Sequence, residues 1–88
     1  MEKRHKFFAH AVNSNLTGEQ ARVLLCLLSE EHDGDIWLKQ NDIADTLGMT
    51  ESNVSRSIKA LKEAGLINKQ DAAGRDGKPV FQIEKRYR

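Results

Sequence analysis

Ile43-Ala44-Asp45-Thr46-Leu47-Gly48-Met49-Thr50-Glu51-Ser52-Asn53-Val54-Ser55-Arg56-Ser57-Ile58 is the stretch that decides the fold of this chain. Ile43, Ala44 and Leu47 share one face of a short helix that the spacing predicts over residues 41–47. Gly48 and Met49 interrupt it. Thr50 is a good N-cap for a second helix over residues 51–64, with Val54, Ile58 and Leu61 as its buried stripe at i, i+4, i+7. Gly65 stands where a left-handed residue closes a helix. Ala44 is small enough to let the two helices cross closely.

The flanks supply the rest of one domain. Thr17-Gly18-Glu19-Gln20 has the form of a capping box, and a helix is expected from Gly18 to about Glu31. Its run Val23-Leu24-Leu25-Cys26-Leu27-Leu28 is apolar around most of the circumference, so one covered face does not hide it. The second cover is either an amino-terminal helix or another subunit. That earlier helix is expected over residues 5–12, where His5, Phe8, Ala9 and Val12 fall at helical spacing. His32-Asp33-Gly34-Asp35 reads as a turn, and Ile36-Trp37-Leu38 as a short strand with Trp37 in the core. After the second helix come two strands, residues 66–70 and 80–84. Asp71, Gly74, Gly77 and Pro79 between them are turn chemistry. Lys85-Arg86-Tyr87-Arg88 is a basic tail.

Length and composition bound what this domain does. The chain has 88 residues, 39% of them hydrophobic and 31% charged, which is one small core and not a disordered chain. A single cysteine excludes a disulfide scaffold or a cysteine-rich zinc module. The longest apolar run, Val23–Leu28, is too short to span a membrane, and no signal peptide is visible, so a cytoplasmic protein with reduced Cys26 is expected. The net charge of +1 is segregated: residues 17–35 are acidic, while residues 1–16 and those beyond residue 50 are basic. Such a pattern suits one face for a polyanion, though ordinary surface variation produces it too. His5 and His10 do not share a helical face, and His32, Asp33 and Asp35 read as a solvated turn. No metal, cofactor or small-molecule ligand is therefore expected, and no nucleophile–base spacing suggests an enzyme.

Two short helices joined by a tight turn fit a helix-turn-helix, whose second helix enters the major groove of DNA, and the following hairpin fits a wing. Residues 43 to 67, Ile-Ala-Asp-x-Leu-Gly-Met-Thr-x-Ser-x-Val-Ser-Arg-x-Ile-x-x-Leu-x-x-x-Gly-Leu-Ile, resemble the core of the winged helix-turn-helix family, MarR-like regulators in particular. The pattern is similar too to cyclic-AMP-receptor-type regulators and to phage and plasmid replication initiators. The resemblance implies a mainly α fold with a small antiparallel sheet. It divides the chain into an amino-terminal helical extension (1–15), a winged helix-turn-helix domain (16–84) and the basic tail (85–88).

With the buried stripe removed, the second helix leaves Glu51, Ser52, Asn53, Ser55, Arg56, Lys59 and Lys62 for DNA. Arg56 has the fork for a bidentate contact with guanine, and Asn53 the amide for adenine. Glu51 or Ser52 suits cytosine or a phosphate. Thr50 and Ser55 suit phosphates or caps, and Lys59 and Lys62 the backbone farther along. Arg75 and Lys78 on the wing suit the minor groove or flanking phosphates. The plainer alternatives are a solvated helix face and a solvated hairpin turn. One departure from the family pattern is Lys39, where a Ser or Thr normally caps the first helix of the motif; Lys39 or Gln40 suits a phosphate instead.

Three functions fit this reading. The first is a homodimeric, sequence-specific double-stranded DNA-binding transcription regulator, with residues 18–31 and Phe7, Phe8 and Val12 forming either the subunit interface or an intramolecular pack. The second is a phage or plasmid origin- or partition-site binder, since Leu16-Thr-Gly-Glu-Gln-Ala-Arg-Val-Leu-Leu is similar to the amino-terminal domains of phage replication proteins. The third is a winged helix used as a protein-interaction module.

Overall fold

In the computed structural model, residues 2–69 and 78–88 are described. Helix α1 is Glu2–Val12 and α2 is Gly18–Ser29. A hairpin of β1 (Glu31–His32) and β2 (Asp35–Ile36) follows, then α3 (Gln40–Leu47) and α4 (Glu51–Glu63). Strands β3 (Ile67–Lys69) and β4 (Phe81–Ile83) and a 3-10 helix (Lys85–Tyr87) complete the order. The fold is mainly helical with a small antiparallel sheet, a winged helix.

The capping box forms as the residue types require. The Gln20 N–H donates to Thr17 Oγ1 at 3.2 Å, and the Thr17 N–H donates to Gln20 Oε1 at 3.1 Å. Helix α2 stops at Ser29, two residues short of the expected end. Glu31 and His32 instead pair with Ile36 and Asp35 around a turn in which Asp33 (φ 51°) and Gly34 (φ 88°) are both left-handed. Asp-Gly is the preferred dipeptide for such a two-residue hairpin turn. Glu31 reinforces it, because its Oε2 accepts from the Gly34 N–H at 2.6 Å. The sheet order is β1-β2-β4-β3.

Helix α2 lies against α3 and α4, and α4 against β3. Leu27, Ile36, Ile43, Leu61, Leu66 and Phe81 are among the fully buried side chains between these layers. Each contributes on the order of 1.5–3 kcal/mol by leaving water. Val54, Ile58 and Leu61 form the buried stripe of α4, joined by Ser57.

Helix α1 buries a different face from the expected one. Phe7 and Ala11 point inward, while Phe8 is 41% and Val12 80% exposed. The reason is its partner. Helix α1 packs on the terminal 3-10 helix, where Tyr87 meets Phe7 edge-on with ring centroids 5.5 Å apart. Tyr87 also shares a hydrogen bond between its hydroxyl and His10 Nδ1 at 2.5 Å. The basic tail is thus a short helix that anchors α1, with Lys3 Nζ donating to the Arg88 carbonyl at 2.6 Å. Arg4 adds an ion pair with Glu31 at 2.9 Å. Leu25 on α2 stays 63% exposed, so α1 does not cover the whole apolar circumference of that helix. Trp37, expected in the core, is 46% exposed, since β2 ends at Ile36 and the chain turns toward α3.

Candidate nucleic-acid interface

Helices α3 and α4 are joined by a turn that the backbone controls closely. Gly48 sits at φ 66°, ψ 33°, and its N–H donates to the Ala44 carbonyl. The Met49 N–H donates to the same carbonyl at 3.0 Å. Arg22 reaches over from α2, and its Nη2 donates to the Leu47 carbonyl at 3.2 Å. The carboxyl end of α3 is therefore tied off by two amides and one guanidinium. Arg22 was not among the sequence-predicted site residues. It is the one lysine or arginine in the acidic stretch 17–35, and that isolation was the available signal.

The start of α3 shows how the unusual Lys39 is tolerated. Its ammonium cannot accept a hydrogen bond, so it does not cap the helix. Instead the Lys39 N–H donates to Asp42 Oδ2 at 3.3 Å, which preserves half of a capping box. Helix α4 begins conventionally, with the Asn53 N–H donating to Thr50 Oγ1 at 3.1 Å. Val54, Ser57, Ile58 and Leu61 face inward. Thr50, Glu51, Ser52, Ser55, Arg56, Lys59 and Lys62 are exposed, and Asn53 is half-buried. One helix thus carries hydroxyls, an amide and three cations on the side away from the core. Arg56 and Asn53 touch: Arg56 Nη2 donates to Asn53 Oδ1.

The sheet register groups further residues. Ile36 pairs with Phe81, which pairs with Lys69 on its other side. The ends of β2 and β3 and the start of β4 therefore lie together at one end of the sheet, and the Val80 N–H donates to the Ile36 carbonyl at 2.8 Å. Lys69 at the end of β3 and Lys78 before β4 are both exposed at that end, and exposed Lys39 follows β2 there. Lys69 is a second cation that the sequence reading did not select. Arg75, Gln70, Asp71, Gly74 and Gly77 lie outside the described residues. The 3-10 helix and Gly65, at φ 79°, occupy the opposite end, where Arg86 Nη2 meets the Gly65 carbonyl at 3.5 Å.

Among the described residues two titratable groups are perturbed, Cys26 on α2 and Glu31 on β1. Burial, followed by the nearby charge of Glu30, pushes the Cys26 thiol up from its ordinary value. Burial also opposes ionisation of Glu31. The Arg4 hydrogen bond, the Gly34 N–H and the charges of Arg4 and His32 outweigh it, so the carboxyl titrates below the usual glutamate range.

Residues 14–78 match the family described as the MarR family. The chain belongs to the MarR family. That family is one of winged-helix DNA-binding transcription regulators, and the matched span runs from just before α2 to the base of the wing. Helix α1 and the terminal 3-10 helix flank the MarR-family match. No curated protein and no solved structure matches this chain. Among the described residues no helix is long and apolar enough to cross a membrane.

Proposed function

We propose that this MarR-family protein is a sequence-specific double-stranded DNA-binding transcription regulator, with α4 inserted in the major groove and the wing on the flanking backbone. The observation that carries the reading is the outer face of α4, where Ser52, Ser55, Arg56, Lys59 and Lys62 are exposed opposite Val54, Ile58 and Leu61. The first turn of such a helix points at base edges. Arg56, Ser52 and Glu51 lie in or next to that turn and are assigned to bases, and Asn53 stands with Arg56 at the same base contact. Thr50, Ser55, Lys59 and Lys62 are assigned to phosphates. Lys78 and Arg75 on the wing are assigned to the minor groove or flanking phosphates, with Lys69 beside them. Glu51 fits only if its carboxylate accepts from a base, because phosphates repel it.

Occupying an operator in this way blocks polymerase sterically. The chain acts without an enzymatic step in this reading, in the cytoplasm and as a homodimer. Exposed Phe8, Val12 and Leu25 supply apolar surface for a second copy, and two half-sites multiply the few contacts of one winged helix. The domain division carries over: a 1–15 extension, a 16–84 winged helix and the 85–88 segment.

The test is selection from randomised duplexes at two salt concentrations, with Arg56→Ala in parallel. An enriched palindrome that is lost with Arg56→Ala supports the reading, and its spacing reports the half-site distance. Salt-steep binding without enrichment refutes sequence recognition.

A further inference from the structure

Within that reading of α4, we infer that Asn53 and Arg56 form a single reading unit in which Arg56 recognises guanine and Asn53 positions it, reading no adenine of its own. The two residues lie one turn apart at i and i+3, and Arg56 Nη2 donates to Asn53 Oδ1.

The chemistry of the two side chains makes this pairing asymmetric. An asparagine reads adenine with both ends of its amide: Oδ1 accepts from the N6 amino group while Nδ2 donates to N7, in one plane. The Arg56 bond takes up one lone pair of Oδ1 and holds that oxygen toward Arg56, one turn along the helix, so planar two-ended reading of an adenine would have to share or break it. An arginine reads guanine with two parallel N–H groups from a fork of five donors. Donating one of them to Asn53 leaves enough for the O6 and N7 acceptors. The contact is thus compatible with guanine reading by Arg56 and competes with adenine reading by Asn53.

Anchoring points the same way. Asn53 is half-buried, and its N–H is held by Thr50 Oγ1 at 3.1 Å, so it is fixed in the first turn of α4. Arg56 is exposed, and its long side chain supplies the reach. Without a partner that side chain samples many rotamers, and ordering it on DNA would oppose binding. Asn53 restricts it before the duplex arrives. The operator half-site therefore carries a G·C pair opposite the first turns of α4.

The test uses the full chain and the duplex selected by the wild-type protein, with each G·C pair replaced in turn by A·T and each A·T pair by G·C. Fluorescence anisotropy gives Kd for wild type, Arg56→Ala, Asn53→Ala and Asn53→Asp, each checked for folding by thermal melting. One replacement is expected to weaken wild-type binding by about 10- to 100-fold, the range of a good bidentate pair. That penalty vanishes in Arg56→Ala. It shrinks to about threefold or less in Asn53→Ala, because the guanidinium loses its support. Asn53→Asp keeps the penalty while weakening all duplexes together, since a carboxylate still accepts from Arg56 but adds a negative charge. An A·T pair whose replacement matters in wild type but in neither Asn53 variant, with Arg56→Ala unaffected, overturns the inference. An unchanged guanine penalty in Asn53→Ala overturns it too. Absence of any selected sequence refutes the proposed function itself, and is thereby distinguished from failure of the pairing alone.

Discussion

Replacing Gly48 with alanine tests whether the turn between α3 and α4 is set by backbone conformation. Gly48 has φ 66° and ψ 33°, the left-handed region in which a Cβ crowds its own carbonyl. Beyond its own residue and its chain neighbours, a Cβ built there meets no heavy atom within 4 Å, so neither tertiary packing gain nor tertiary clash enters the balance. What remains is the conformational term, about 1–2 kcal/mol. Against a total stability of about 0.05–0.15 kcal/mol per residue, that is a substantial loss for 88 residues. The melting temperature should fall by about 4–8 °C for each kcal/mol. Gly18 provides the internal control. It opens α2 with ordinary helical geometry and has the same open surroundings, so Gly18→Ala should stabilise by about 0.4–1 kcal/mol. Gly48→Asn should fall between wild type and Gly48→Ala, because asparagine tolerates the left-handed region better. Urea unfolding followed by circular dichroism reads all three. A Gly48→Ala protein as stable as wild type, or stabilised in step with Gly18→Ala, would refute the conformational argument.

Thr50→Ala removes the hydroxyl that caps α4 and should cost about 1 kcal/mol in the same unfolding measurement. Tyr87→Phe keeps the ring against Phe7 but removes the hydroxyl bonded to His10. Amide hydrogen exchange should accelerate in α1 and stay unchanged in α4. Glu31 titrates below the usual glutamate range in the folded state, so its contribution is present above that range and is lost as pH falls through its lowered folded value. The stability gap between wild type and Glu31→Gln, followed by urea unfolding, should therefore hold at pH 6 and close on acidification toward pH 3. Cys26, with its thiol pushed up by burial and then by Glu30, should alkylate with iodoacetamide more slowly than glutathione at neutral pH.

What the sequence made legible was whatever local chemistry governs. The Thr17 and Thr50 caps, the Gly48 turn, the stripe Val54–Ile58–Leu61 and the two wing strands all follow from residue types at short spacing, and each is present. The exceptions depend on partners far along the chain. Helix α1 has apolar residues on two faces, and partners far along the chain, Tyr87 against Phe7 among them, turn Phe7 and Ala11 inward rather than Phe8 and Val12. Glu31 continues a helical pattern locally, and His32 belongs to the expected turn. Both become a strand because the Asp33-Gly34 turn folds them onto β2, which is itself paired with β4. Trp37 is expected in the core as the middle of a strand beneath the helices, but β2 is shorter than that and leaves it beyond the last sheet residue. At the candidate site, the outward face of α4 followed from periodicity. The Asn53–Arg56 contact and the Arg22 clasp did not, because rotamers and interhelical reach leave no mark on spacing.

The central claim is that α4 lies in the major groove, and methylation interference on the selected duplex tests it most directly. Dimethyl sulfate modifies guanine at N7 in the major groove and adenine at N3 in the minor groove. The account predicts that N7 methylation of a guanine in each half-site blocks binding of the wild-type protein and makes no difference to Arg56→Ala. Interference confined to adenine N3, or none at any guanine, would contradict it.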